Sequence, residues 1–156
     1  EAKGDLFIPL DADLTFHPNQ IPLLLKRFNM GDVDCVIGSH FGMGGKLEKV
    51  PFYRIVLSKG VNILYTILLG KRISSISSIF RLYKTGQLKE LKLESNGFDI
   101  SAEILVKLLR KKKKIAEVPV TLTTRIYGVS KLNNFKEAKN HIKLLSRVLW
   151  WKISGK

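Results

Sequence analysis

The stretch Leu6-Phe7-Ile8-Pro9-Leu10-Asp11-Ala12-Asp13 decides the fold class, because it closes an apolar run with two carboxylates one residue apart. The run 6–10 predicts a short buried strand, and residues 14–19 predict the turn into a following helix. In open α/β sheets, ligands gather just beyond the carboxyl ends of the strands. Asp11 and Asp13 could hold Mg²⁺ or Mn²⁺ there through oxygen and leave coordination sites for a diphosphate. The alternative is that these acidic residues only mark a strand end or cap a helix.

Apolar runs and helical periodicity alternate along the rest of the chain, which favours a layered α/β sheet over a helical bundle. The pattern predicts helices over residues 18–30, 52–69, 101–113 and 134–153, and further strands over residues 33–38, 80–83 and 115–123. The connection 39–51 contains three glycines and predicts a mobile loop.

The size and composition of the chain are those of one domain with one core, since it has 156 residues and 45% hydrophobic content. It begins at Glu1 rather than at a methionine and reaches its first strand almost at once, so we expect an upstream portion. The single cysteine, Cys35, lies in an apolar run and predicts a buried hydrophobe rather than a nucleophile. The apolar run 61–69 is short and contains Asn62, so no stretch is expected to span a bilayer.

The net charge of +14 is unevenly placed along the chain. Residues 1–40 hold six acidic and three basic side chains, whereas residues 41–156 hold seven acidic and twenty-four basic ones. The later part should therefore attract anions such as nucleic acid, anionic lipid headgroups or phosphorylated substrates. We expect no nucleic-acid partner, because the chain lacks a recognition motif and aromatic platforms interleaved with its basic residues.

A polar stripe crosses the predicted helix 52–69, where Arg54, Ser58 and Asn62 recur every four residues. Burying that face would strand a charge unless an anion paired with it. The alternative is a solvent-facing stripe over which the Arg54 side chain extends towards water. His40, just after a predicted strand, could join an anion site and be charged at mildly acidic pH, although a lone strand-end histidine is more often structural.

Two basic segments follow later in the chain. Arg125, Ser130 and Lys131 surround a glycine turn that could grip a phosphate by charge and by backbone donors, or could be an ordinary basic loop. The run 110–114 fits a solvated helix end, where the helix dipole favours cations. The last helix combines Trp150 with several basic residues, which suits a membrane interface and equally suits packing on its own domain.

Taken in order, these motifs resemble the glycosyltransferase family 2 enzymes, most closely the dolichol-phosphate or polyprenol-phosphate mannosyltransferase and glucosyltransferase group. The matching stretches are residues 10–18, 36–45, 54–62, 80–83, 95–98, 115–120 and 125–131. The resemblance implies the C-terminal part of a GT-A, Rossmann-like mixed sheet flanked by helices. Residues 1–133 would form a partial catalytic domain without its N-terminal nucleotide-binding strands, and residues 134–156 a basic amphipathic helix at a membrane interface.

The same resemblance implies metal-dependent, inverting transfer of mannose or glucose from GDP-mannose or UDP-glucose to polyprenyl or dolichyl phosphate. The enzyme would be peripheral on the cytoplasmic side of a membrane. The implied roles are metal binding of Mg²⁺ or Mn²⁺ by Asp11 and Asp13, catalysis by Asp13 and Arg81, acceptor-phosphate binding by His40, Arg54 and Ser58, and donor-phosphate binding by Arg125, Ser130 and Lys131.

Three departures from the group's pattern support a second hypothesis. His40 stands where the group usually has arginine, the segment 75–81 lacks the usual aspartate and glycine, and the strands that bind the donor's nucleoside would lie upstream of Glu1. The second hypothesis is a catalytically degenerate or truncated relative that binds anionic lipid through its basic half.

Overall fold

The computed structural model describes residues 3–124 and 134–154. Their elements, in chain order, are β1 (Leu6–Phe7), a 3₁₀ turn (Pro18–Gln20), α1 (Ile21–Phe28), β2 (Cys35–Ser39), β3 (Lys46–Glu48), α2 (Phe52–Leu69), β4 (Arg81–Lys84), α3 (Thr85–Lys89), α4 (Ile100–Arg110), β5 (Ile115–Pro119), β6 (Thr121–Thr123) and α5 (Asn134–Ser154). Helices flank a mixed sheet, which confirms the predicted α/β class.

The main sheet has the strand order β1-β4-β2-β5. Strand β4 is antiparallel to both β1 and β2, and β2 is parallel to β5. Consequently β1, β2 and β5 run in one direction and their carboxyl ends meet at one edge. Strands β3 and β6 form a separate parallel pair.

The prediction of a buried strand over residues 6–10 is wrong. Only Leu6–Phe7 pair with β4, and these two side chains are 38% and 36% exposed. The reason is that β1 lies at the edge of the sheet, and Pro9 has no N–H to donate to a longer ladder. The two aspartates therefore follow an edge strand, but still at the carboxyl edge.

The core has two parts, one on each face of the main sheet. Successive side chains of a strand point to opposite faces, so Cys35 and Ile37 of β2 pack in one cluster and Val36 packs in the other. Cys35 has no exposed surface, and burial raises the pKa of its thiol to about 12. It is the buried hydrophobe that the sequence predicted.

The predicted strand 115–123 is two strands in two sheets. Pro119 ends β5 without an N–H, and Val120 then donates to the Ser39 carbonyl at 3.1 Å and accepts from the Lys46 N–H at 3.0 Å. Those two bonds lead the chain from the main sheet into the pair with β3. The segment 39–51, predicted as a mobile loop, contains β3.

Helix α2 exposes an apolar face. Its exposed large side chains include Phe52 (78%) and Ile67 (72%), whereas Asn62 is buried. Among the residues that the structure describes, α2 is long and apolar enough to cross a membrane by length and composition, with 18 residues and a mean hydropathy of 1.3. The prediction that no stretch reaches that length is therefore wrong, because it counted only the apolar run within this helix.

Candidate functional site

Asp11 and Asp13 lie in a tight turn at the carboxyl edge of the sheet. The Leu14 N–H donates to the Asp11 carbonyl at 3.4 Å, and Leu14 has a positive φ of 57°. Asp13 Oδ1 accepts from the backbone N–H of Thr15 at 3.1 Å. Both aspartates are partly buried, so the turn keeps two carboxylate side chains at least partly accessible to solvent.

The segment after the aspartates is fixed against β6. The Thr123 N–H donates to the Thr15 carbonyl at 3.0 Å. The side-chain amide of Gln20 pairs with the backbone of Thr121 through bonds of 2.7 and 3.0 Å. These bonds hold the segment 15–20, which follows the aspartate turn, against β6.

A cavity of about 190 Å³ opens beside this turn. It brings together His40, Arg54 and Ser58, the three residues that the resemblance assigned to the acceptor phosphate. Thr15, Thr123 and Thr124 add polar atoms to the lining, and the other lining residues are apolar: Phe41, Leu47, Val50, Pro51, Ile55 and Leu122. The cavity therefore combines a few polar side chains with a largely hydrocarbon lining.

His40 lies between aromatic rings at the cavity wall. Its ring centroid is 5.9 Å from that of Phe16 and 4.4 Å from that of Phe41. Burial lowers its pKa to about 4, so the expectation of a charged imidazole at mildly acidic pH is wrong. Within the described part of the chain, Nδ1 of His40 is buried and has no hydrogen-bond partner. A neutral imidazole here can donate or accept one hydrogen bond but supplies no charge.

The polar stripe of α2 is buried at Asn62 and only partly buried at Arg54 and Ser58. Asn62 donates from Nδ2 to the Ser74 carbonyl at 2.6 Å and accepts at Oδ1 from the Ile76 N–H at 2.9 Å. Arg54, one end of the stripe, is partly buried and donates from Nε to the Tyr53 hydroxyl at 3.3 Å. Asn62 thus anchors the helix, and Arg54 and Ser58 line the cavity.

Arg81 does not fit the catalytic role that the resemblance implied. Its side chain has no exposed surface. The guanidinium donates to the backbone carbonyls of Ser75 (3.2 Å), Ile76 and Ser101, and lies 3.4 Å from the Tyr83 hydroxyl. Because these contacts join β4, α4 and the segment 75–76, we assign Arg81 a structural role.

The sequence did not predict a hydrogen-bond network formed by several hydroxyls and one carboxylate. Glu117 accepts from the backbone N–H of Ser74 at 2.9 Å and from its hydroxyl at 2.7 Å. The Ser39 hydroxyl contacts those of Ser74 and Ser75 and accepts from the Gly42 N–H at 2.8 Å. The network fixes the chain on both sides of His40. The serines at 74, 75, 77 and 78 were the available signal.

Glu103 also has a structural role. It is fully buried, lies 2.6 Å from the ammonium of Lys107 and accepts from the Ser95 N–H at 2.7 Å. Burial acts to raise its pKa, but the bonds from Lys107 and from the backbone outweigh it, and the pKa is lowered. Because Glu103 is buried and its oxygens are engaged by Lys107 and by backbone N–H groups, we assign it a structural role.

The donor set at the aspartate turn fits a hard divalent cation. Carboxylate oxygens are the ligands that Mg²⁺ prefers, and Mg²⁺ is usually held by one or two of them together with substrate phosphates. In residues 3–124 and 134–154, no group of three or more His, Cys, Asp or Glu side chains could hold a metal, so other ligand oxygens must complete the shell. Arg125, Ser130 and Lys131 lie outside the described residues.

Comparison with known sequences gives three findings. The family model "Glycosyl transferase family 2" matches residues 1–92. A "Dolichol-phosphate mannosyltransferase" of Pyrococcus furiosus is 38% identical over 154 residues, which is 97% of this chain and 42% of the relative. A "Polyprenol monophosphomannose synthase" of Mycolicibacterium smegmatis is 31% identical over 156 residues, 97% of this chain and 56% of the relative. The chain thus spans about half the length of these curated relatives.

Comparison with solved structures concerns the fold. Glucosyl-3-phosphoglycerate synthase from Mycobacterium tuberculosis with phosphoglyceric acid superposes with a TM-score of 0.61 at 19% identity, over 95% of this chain and 49% of that one. The same enzyme with Mn²⁺, uridine diphosphate and phosphoglyceric acid gives 0.63 at 16% identity, over 95% and 48%. Both are GT-A glycosyltransferases, which confirms the predicted fold class.

Proposed function

Because the chain belongs to glycosyl transferase family 2, we propose that it forms the acceptor side of a metal-dependent hexosyltransferase. The reaction would move mannose or glucose from a nucleotide sugar, GDP-mannose or UDP-glucose, to polyprenyl or dolichyl phosphate with inversion. The names of the two curated relatives support this acceptor class and favour mannose.

The observation that carries the proposal is the cavity that joins His40, Arg54 and Ser58 beside the aspartate turn. These three residues offer one guanidinium, one hydroxyl and a neutral imidazole, a set that suits a phosphate. The apolar residues of the lining suit the first part of a hydrocarbon chain. A phosphate attached to a polyprenol has both features.

Asp11 and Asp13 would hold Mg²⁺ or Mn²⁺. When bound, the metal supplies positive charge to the diphosphate leaving group. One similar solved structure, named above, contains Mn²⁺ together with uridine diphosphate. The bond from the Thr15 N–H to Asp13 Oδ1 orients that carboxylate at the turn.

The reaction requires little proton transfer by side chains of the protein. An acceptor phosphate is already an anion at neutral pH, so its oxygen can attack the anomeric carbon while the bond to the nucleoside diphosphate breaks on the opposite face. Arg54 would orient and partly neutralise the attacking phosphate, and Ser58 and His40 would hydrogen-bond it. Attack on the opposite face inverts the anomeric configuration.

A peripheral position at the cytoplasmic side of a membrane is part of the proposal. Both α2 and α5 expose apolar side chains, and on α5 Trp150 is 55% exposed and Ile153 is 77% exposed. Leu144 and Val148 of α5 are buried in the core, so α5 packs on its own domain with one side and exposes apolar surface on the other. Such a surface beside basic residues supports binding at a membrane interface.

The test is steady-state kinetics on the longest natural protein that contains this chain, with labelled donor and polyprenyl phosphate in detergent. We expect Arg54→Ala to raise the KM for polyprenyl phosphate about tenfold or more, because a charged hydrogen bond is lost. Arg54→Lys, which keeps the charge, should recover part of this effect. A KM that is unchanged in both variants would show that the cavity does not bind the acceptor.

A catalytically degenerate or truncated relative that binds anionic lipid remains the second candidate function. Two observations favour it: His40 supplies no charge where the family usually has arginine, and the segment 75–79 has no carboxylate of its own. This candidate predicts vesicle binding that disappears at high salt together with no sugar transfer at any metal concentration.

A further inference from the structure

A second cavity of about 300 Å³ lies at the amino-terminal end of β5, whereas the candidate site lies at the carboxyl edge. We call it the basic cleft. Five cations line it together with three apolar residues and one carboxylate: Lys71, Arg72, Ile73, Leu109, Lys112, Lys113, Lys114, Ile115 and Glu117. Both oxygens of Glu117 accept hydrogen bonds from Ser74, so this carboxylate is already engaged. The cleft therefore carries a strong excess of positive charge.

The backbone at Lys112 strengthens the case for a ligand. Lys112 has a positive φ of 56°, its N–H donates to the Leu109 carbonyl at 2.9 Å, and the Lys113 N–H donates to Leu108 at 3.0 Å. This is the helix ending in which glycine is the usual residue, because a Cβ is disfavoured in the left-handed region. The chain instead carries a lysine whose side chain lines the cleft.

The cleft adjoins exposed apolar surface at the ends of α2 and α5. Lys71 and Arg72 follow Gly70, the residue that ends α2, and Lys71 comes four residues after the exposed Ile67. The Lys152 ammonium donates to the Leu68 carbonyl at 3.2 Å, which brings the end of α5 beside the end of α2. Cations next to exposed apolar side chains are the arrangement that binds an anionic bilayer rather than a dissolved anion.

We propose that the basic cleft binds the phosphate of anionic phospholipid headgroups and so fixes the adjoining ends of α2 and α5 on a negatively charged membrane. Membrane association, part of the proposed function, is the premise of this site, whereas sugar transfer is not. The lipid phosphate bound here is distinct from the acceptor phosphate, because Arg54 and the basic cleft lie at opposite ends of α2, about 27 Å long from its 18 residues.

The experiment is co-sedimentation of the chain with phosphatidylcholine vesicles prepared with and without phosphatidylglycerol. The cleft variant carries Arg72→Gln, Lys112→Gln and Lys113→Gln. Each lost cation should weaken binding to the anionic vesicles about fivefold. A matched variant, Lys3→Gln, Lys26→Gln and Lys46→Gln, removes the same charge from exposed lysines outside the cleft. The matched variant should bind the anionic vesicles much more tightly than the cleft variant does. Equal weakening of vesicle binding in the two variants would overturn the proposed site.

A pair of glycine substitutions separates binding from folding. Lys49 has a positive φ of 55°, like Lys112, but precedes α2 at its other end. Both Lys112→Gly and Lys49→Gly should raise the melting temperature, by about 2–4 °C each. Only Lys112→Gly should weaken binding to anionic vesicles about fivefold. Equal vesicle binding by the two variants would overturn the proposal.

Inorganic phosphate is the probe for a soluble source of the same chemistry. We expect phosphate to protect the chain only weakly against thermal unfolding and to compete poorly with anionic vesicles. Tight phosphate binding that the cleft variant loses, with vesicle binding unchanged, would show that the site takes a dissolved anion. Sugar transfer measured in detergent should be the same in the cleft variant and the parent. A chain that transfers no sugar but still shows the cleft-dependent vesicle binding would refute the proposed function alone.

Discussion

Replacement of Asn62 tests how the candidate site is held together. Its amide donates to the Ser74 carbonyl at 2.6 Å and accepts from the Ile76 N–H at 2.9 Å, and the side chain is buried. Asn62→Leu keeps the approximate volume but leaves both backbone groups without these partners. Each unsatisfied buried group costs about 1–3 kcal/mol, so we expect the free energy of unfolding to fall by about 2–6 kcal/mol.

Asn62→Asp gives a sharper version of the same test. An ionised carboxylate can still accept from the Ile76 N–H but faces the Ser74 carbonyl, so its pKa should be raised in the folded protein. The variant should therefore be destabilised at neutral pH and should regain stability as the pH falls through that raised pKa, because the protonated acid can donate to Ser74. The parent protein has a neutral amide at position 62 and should not gain stability there as the pH falls.

The assay is urea unfolding followed by the fluorescence of Trp150 and Trp151 on α5, which packs against α2. Asn96→Leu is the matched control, since Asn96 is exposed and its replacement should change stability by about 0.5 kcal/mol or less. An Asn62→Leu protein no less stable than Asn96→Leu would refute the anchoring of α2 on the segment 74–76. An Asn62→Asp protein whose stability relative to the parent does not change with pH would also refute it.

Three further predictions concern buried groups. Burial lowers the pKa of His40 from 6.5 to about 4, so the unfolded chain takes up the proton first and the free energy of unfolding falls as the pH drops from 6.5 towards 4. In His40→Gln the free energy of unfolding should fall by about 2–3 kcal/mol less over this pH range. Urea unfolding at each pH measures the difference. Arg81→Met should lower the melting temperature strongly, because three backbone carbonyls lose their donor, and full activity at reduced stability would confirm its structural role. Cys35 should react with a thiol reagent only as fast as the protein unfolds, and rapid labelling of the native chain would contradict its burial.

Local signals in the sequence predicted some elements to the residue. Helix α2 begins after Pro51 and ends at Gly70, whose φ is +64°, so both ends are marked by residues with fixed backbone preferences. The split of the predicted strand 115–123 could not be predicted in the same way. It depends on hydrogen bonds from Val120 to Ser39 and Lys46, which are remote in sequence.

The candidate site shows the same division between local and long-range information. Arg54 and Ser58 share a helix face by spacing, and their approach to His40 followed from the resemblance rather than from the residues alone. Nothing local distinguishes a strand arginine that contacts substrate from one that is buried under backbone carbonyls, as Arg81 is. The serine cluster was visible in the sequence, but its partner Glu117 lies more than forty positions away and could not be inferred from it.

The measurement that tests the central claim most directly is transfer of labelled mannose from GDP-mannose to polyprenyl phosphate by the longest natural protein that contains this chain. We predict transfer that requires Mg²⁺ or Mn²⁺ and that falls at least about a hundredfold in Asp11→Asn and Asp13→Asn, with the same folded stability as the parent. Transfer that continues in a chelator, or an Asp13→Asn protein as active as the parent, would contradict a metal site at the aspartate turn.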